Sequence, residues 1–218
     1  MKKRIWISAG LLAITAAAQA DLQIDGFGTG VWDMTMSGFD TFATHTVTGL
    51  NTQDTLFGMR TTSVNVLENF FNLPLAIQSG RGAFKVTSQG LKTDFSIRSR
   101  YDSNGVGVNM SHEQSIKVDV SVSPNASSTV WIGVIDTANT QRYANGSVNS
   151  AGYVIIRKNQ FGSLNWASVK TFIVESSANT TNNHSFAFEN IALVPEPTSL
   201  LGLGVLALLG GARSRRRR

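Results

Sequence analysis

The chain has 218 residues, no cysteine, 42% hydrophobic and 15% charged residues, and a formal charge of +5. The absence of cysteine excludes a disulfide framework, cysteine-ligated zinc, iron–sulfur clusters and a thiol nucleophile. The low charge fraction and 20 glycines exclude a coiled coil and polyelectrolyte disorder. The positive charge lies at the ends, because the stretch from Asp21 to Val194 carries 11 basic against 13 acidic residues. A nucleic-acid partner needs clustered Lys and Arg on the folded body, so none is expected.

Residues 1–20 read as a secretory signal peptide. Lys2, Lys3 and Arg4 lead into an apolar run, and Ala18-Gln19-Ala20 supplies the small-residue pattern read by signal peptidase, with cleavage expected before Asp21. The Ile5 to Ala17 run is short for a spanning helix, so an uncleaved anchor is the weaker alternative. The next landmark, Gly26-Phe27-Gly28-Thr29-Gly30, is glycine-rich. No helical pattern follows it, and a phosphate cradle needs that helix N-terminus, so it reads as a turn or bulge before a strand carrying Trp32.

From there to Val194 the pattern is all β. In Ser115 to Val122 the residues Ile116, Val118, Val120 and Val122 alternate with Lys117, Asp119 and Ser121, the signature of a half-buried strand. Asp94 to Tyr101 alternates likewise, and Asp102-Ser103-Asn104-Gly105 supplies turn chemistry directly after it. Further strands are expected at Val31 to Met36, Thr41 to Val47, Thr61 to Val66, Leu73 to Gln78, Gly82 to Thr87, Val130 to Asp136, Tyr153 to Arg157, Val169 to Glu175 and Ser185 to Leu193. Ser, Thr and Asn supply 54 of the 174 residues between Asp21 and Val194, a composition that suits a hydrated extracellular surface. The expectation is a single antiparallel β-sandwich over 21–193, flanked by an N-terminal signal helix and a short C-terminal transmembrane helix.

The C-terminal segment, 194–218, begins Val194-Pro195-Glu196-Pro197. An uncharged apolar stretch from Thr198 to Ala212 follows, and then Arg213, Arg215, Arg216, Arg217 and Arg218. As a helix, the apolar stretch covers about 22 Å, short of a ~30 Å hydrocarbon core. The arginines form a stop that the positive-inside rule holds in the cytoplasm, with the body outside. These three linked elements resemble the PEP-CTERM sorting signal of Gram-negative bacteria. The resemblance covers about the last 25 residues. It implies an exosortase-like enzyme that recognises Pro195, Glu196 and Pro197 and removes the apolar tail. It also implies an inner-membrane-tethered precursor that later reaches the cell surface or extracellular space, alongside exopolysaccharide and biofilm production. Permanent anchoring without processing is the alternative. The segments "DGFGTG", "GMRTTSVNV" and "FAFENIAL" entering "VPEP", with the central alternating strands, further resemble jelly-roll domains similar to carbohydrate-binding modules and lectin-like sandwiches.

Candidate chemistry is sparse. His45 lies in a Thr-rich strand pattern, and His112 and His184 lie in polar turn regions, with no spacing for a metal triad. No Gly-x-Ser-x-Gly elbow accompanies the serines, so a non-enzymatic protein is expected and a secreted hydrolase is the weaker alternative. Sugar binding uses exposed aromatic faces beside polar groups, which directs attention to Trp131, Tyr143, Tyr153 and Trp166. Trp131, within "VWIGVID", reads first as a core residue, while Tyr143, in the Asn/Gln/Gly-rich stretch from Asp136 to Asn149, reads as a solvent-facing ring. Structural calcium would need acidic and amide oxygens. Asp25 and Glu189 are the candidate pair if the termini meet, with Asp102, Asn104, Asp136 and Asn139 as acid-amide loops, although each reads more simply as a turn. Asn-x-Ser/Thr triplets at Asn109, Asn125, Asn145, Asn179 and Asn183 are chance occurrences in such a composition.

Overall fold

The computed structural model describes residues 21–51, 55–88, 93–122, 128–149, 152–178 and 185–195. The signal segment, Glu196, Pro197, the apolar stretch and the arginine tail lie outside the described residues, as do His184, Asn125, Asn179 and Asn183. Thirteen strands are present among the described residues: β1 (Leu22–Asp25), β2 (Trp32–Met36), β3 (Phe42–Thr48), β4 (Met59–Asn69), β5 (Leu75–Ser79), β6 (Phe84–Ser88), β7 (Thr93–Asp102), β8 (Ser115–Val122), β9 (Ser128–Asp136), β10 (Gln141–Ser147), β11 (Tyr153–Arg157), β12 (Val169–Ala178) and β13 (Ser185–Val194). A single 3-10 turn, Lys158–Phe161, follows β11. No described helix is long and apolar enough to cross a membrane.

All pairings are antiparallel. One sheet runs β11-β8-β13-β6-β5-β2, with β1 added on β13, and the other runs β10-β9-β12-β7-β4-β3. The alternation read from the sequence explains the sandwich. Ile116, Val118 and Val120 from the first sheet and Val130, Ile132, Val134, Phe172, Val174, Phe95 and Ile97 from the second are all buried between the layers. Phe57, Tyr101 and Phe172 form a tilted aromatic group with centroids 6.0–6.3 Å apart, while Phe84 bridges Phe27, Trp32 and Phe188. Removing one such ring costs about 3–5 kcal/mol in a core of this kind.

Two strands escaped the sequence pattern. β1 is only four residues long and precedes the glycine-rich turn, yet it pairs with the last strand, Leu22 opposite Leu193. The turn itself forms as expected: the Asp25 carboxylate accepts the Phe27 N–H at 2.6 Å, and Phe27 adopts a positive φ of 52°. β10 occupies part of the Asn/Gln/Gly-rich stretch in which the sequence pattern marks no strand. It is an edge strand in which Ala144 alone is buried, so it carries almost no apolar signal.

Candidate functional site

The outer face of the six-stranded sheet follows from the register. One row across β10, β9, β12, β7, β4 and β3 reads Asn145, Trp131, Glu175, Arg98, Ser63, Thr44. The next reads Tyr143, Gly133, Ile173, Arg100, Thr61, Thr46. The two aromatic rings are therefore diagonal neighbours on one face, a relation that lets large side chains interact across strands. Trp131 is 46% exposed and Tyr143 51% exposed. Trp131 is thus not the core residue that its apolar surroundings suggested: Val130, Ile132 and Val134 take the inward positions of β9 and leave the indole facing solvent.

Gly133 explains how Tyr143 lies. A Cβ built at position 133 would stand 2.5 Å from Cε1 of Tyr143 and 3.4 Å from Cβ of Ile173, so the phenol ring rests in the space that a side chain would fill. The Tyr143 hydroxyl accepts a hydrogen bond from the Gln141 side-chain amide. Ile173, opposite Gly133 in the register, is buried although it lies in the same outward row.

Two ion pairs border the aromatic residues. Nε and Nη2 of Arg98 each lie 2.9 Å from Oε2 of Glu175, the residue opposite Trp131. Arg100 holds Asp102 with a fork, Nε to Oδ2 at 2.7 Å and Nη2 to Oδ1 at 3.1 Å, and the Thr171 hydroxyl donates to the same carboxylate at 2.7 Å. Burial acts to raise the Asp102 pKa, but the Arg100 hydrogen bonds, the Thr171 hydroxyl and the Arg100 and Lys170 charges together hold it below the usual carboxylate range. Arg100 is pushed above the ordinary guanidinium range, first by its hydrogen bond to Asp102, with burial opposing and the Asp102 and Tyr143 charges adding. Exposed pairs of this type contribute only about 0–1 kcal/mol to stability. Their consequence here is positional, since each fixes a guanidinium and a carboxylate as neighbouring donors and acceptors.

The other sequence candidates lie elsewhere. Tyr153 stands on the opposite sheet with the Lys117 ammonium 5.2 Å from its ring. Trp166 packs edge-on against Phe161 at 5.2 Å, with the Lys158 ammonium 4.8 Å away. His45 stacks on Trp32 at 5.4 Å, and His112 is exposed.

The pairing of the termini does occur, but it does not make Asp25 and Glu189 a calcium pair. Asp25 is 1% exposed and bound to Arg60 at 2.7 Å, whereas Glu189 is an exposed residue at the bulge of β13. Asp136 accepts the Thr140 N–H at 2.8 Å and the Asn165 N–H at 3.3 Å, as a turn-forming residue does, and Asn104 and Asn139 adopt the positive φ of tight turns. Among the described residues no group of three or more His, Asp or Glu could hold a metal ion.

No protein-family model matches the chain, and no curated protein matches it. Among solved structures, the chain is similar to the family 11 carbohydrate-binding module from Clostridium thermocellum in complex with a β-1,3-1,4-mixed-linked tetrasaccharide, with 12% identity and a TM-score of 0.36 over 77% of this chain and 98% of that one. It is similar to the family 30 carbohydrate-binding module of a cellulosomal cellulase of the same organism, with 14% identity and a TM-score of 0.39 over 82% and 99%. It is also similar to the xyloglucanase domain of a type three effector from Sinorhizobium fredii in complex with cellobiose, with 8% identity and a TM-score of 0.44 over 75% and 99%.

Proposed function

We propose that the outer face of the six-stranded sheet binds polysaccharide, and that the protein is an exported, non-catalytic surface or matrix component built on a jelly-roll-like sandwich. The observation that carries this reading is the exposure of Trp131 and Tyr143 as neighbours on rigid strands, bordered by the Arg98–Glu175 and Arg100–Asp102 pairs. An aromatic ring accepts the apolar face of a sugar, and the surrounding donors and acceptors take its hydroxyls. Six strands at about 4.8 Å spacing make a track of roughly 24 Å, room for several successive rings. The test is depletion of the purified mature domain by a panel of polysaccharides. Trp131→Ala and Tyr143→Ala should each weaken binding by about 2 kcal/mol, near thirtyfold, the scale of an exposed aromatic anchor. Their melting temperatures should stay close to that of the unaltered protein. Binding that survives both substitutions would refute the reading.

The route to that location is part of the same proposal. Signal peptidase removes residues 1–20, and an exosortase-like enzyme acts at Pro195, Glu196 and Pro197 while the arginine tail stays cytoplasmic. This is supported by the way β1 and β13 complete their sheet between Leu22 and Val194, so that neither terminal segment is needed to close the sandwich. Mass spectrometry of protein recovered outside the cell should give a chain starting at Asp21 and lacking the apolar tail. An intact polypeptide retained in the cytosol would contradict it.

A further inference from the structure

The chemistry of the polysaccharide can be read from the charges around the aromatic pair, an inference that rests on the binding-face reading above. The register places Arg98 and Arg100 on this face with Asp94, Asp102, Glu175 and Glu68. Both arginines are already engaged: Arg98 by Glu175 at 2.9 Å, and Arg100 by both oxygens of Asp102. Of the basic residues nearest the edge, Arg142 pairs in register with the buried Val134 and so belongs to the opposite side of its strand, and the Lys170 ammonium donates to the Asn139 side chain. Both arginines of the face are thus paired with a carboxylate, and the Lys170 charge acts on Asp102 from the edge. A carboxylated or sulfated chain would need unpaired Lys or Arg, and would instead meet arginines already held by Glu175 beside Trp131 and by Asp102 beside the Tyr143 row.

A neutral sugar meets a different surface. Each of its hydroxyls both donates and accepts, and a fixed guanidinium–carboxylate pair offers an N–H and an oxygen side by side. Beyond the pairs, toward β4 and β3, the rows continue with Ser63, Thr44, Thr61 and Thr46, whose hydroxyls match the same chemistry without adding charge. Thr46 and Thr61 already hydrogen-bond each other at 3.1 Å across the two strands.

We propose that the sheet face selects a neutral, hydroxyl-rich polysaccharide and excludes acidic ones, and that the two Arg–carboxylate pairs are its specificity-determining elements. The experiment is native affinity electrophoresis of the mature domain in gels containing either neutral glucan, mannan or xylan, or polygalacturonate, at low and at physiological salt. At least one neutral polymer should retard the unaltered protein in a Trp131-dependent way, and polygalacturonate should not. Glu175→Gln, at a half-buried position, and Asp102→Asn should each uncover an arginine and create retardation by polygalacturonate that salt screening abolishes. Trp131-dependent retardation of the unaltered protein by polygalacturonate would overturn the neutral selectivity while leaving the binding face intact. So would a folded Glu175→Gln variant that still ignores polygalacturonate. Absence of retardation by every polymer would remove the binding face itself.

Discussion

Arg60 and Asp25, each 1% exposed, join the two sheets through a single buried contact of 2.7 Å between β4 and β1. The guanidinium also lies over the Phe27 ring, 5.1 Å from its centroid. Burial raises the Asp25 pKa above its ordinary 3.8, and Arg60, the Phe27 N–H and Tyr101 oppose that rise. The folded state therefore holds this proton more tightly than the unfolded chain does. The Asp25 contribution to stability falls as the pH climbs from 3.8 through the folded value. Such a pair is weak evidence for stability as a whole, but breaking it is expensive because the surviving charge stays buried. Asp25→Ala should lower the unfolding free energy by about 3–5 kcal/mol in urea titrations. A loss below about 1 kcal/mol, the scale of an exposed pair, would contradict this account. At this scale the sequence was poorly legible. Asp25 stands out in "QIDGFG" as a turn residue and a calcium candidate, but nothing local indicates a partner 35 positions away.

The strands show where pattern reading works and where it fails. β8 and β11 fall at the expected bounds: β8 because β-branched residues alternate with charged or polar ones, β11 because a short Val-Ile-Ile run lies between Tyr153 and Arg157. β9 was found as a strand, but its run of Val130, Trp131, Ile132, Gly133, Val134 and Ile135 hides which parity faces inward. Exposure of Trp131 becomes visible only when the buried partners of Val130, Ile132 and Val134 are known. β10 failed for the opposite reason: an edge strand with one buried side chain has nothing apolar to alternate. Gly133 links the two strands and could have been read as a marker, since a glycine within a strand often indicates close approach of another group. Gly133→Ala should displace the Tyr143 ring and weaken polysaccharide binding about as much as Tyr143→Ala, while circular dichroism and melting temperature stay nearly unchanged. Unimpaired binding by this variant would show that the ring position seen here is not the binding one.

For the molecule as a whole, the fold class was legible and the wiring was not. Only β3–β4, β5–β6 and β9–β10 are neighbours both in sequence and in a sheet, so most pairings depend on contacts between distant segments. Alternation reveals that strands exist; it carries no record of which distant strand each one meets. The consequence for function is direct. The candidate face draws its aromatic residues from β9 and β10, its arginines from β7, and carboxylates from β7 and β12, a set that no spacing in the chain brings together. Inspection of single residues could nominate Trp131 and Tyr143, but not Arg98, Arg100, Asp102 and Glu175 as their neighbours. The central claim is that this assembled face is where polysaccharide docks. The most direct measurement is a two-dimensional NMR titration of the mature domain with the soluble polysaccharide it retains. The account predicts that the Trp131 indole N–H, the Arg98 and Arg100 Nε–H signals and the amides of β9, β10 and β12 shift together and saturate. Shifts confined to the opposite sheet, or none near Trp131 under saturating polysaccharide, would contradict it.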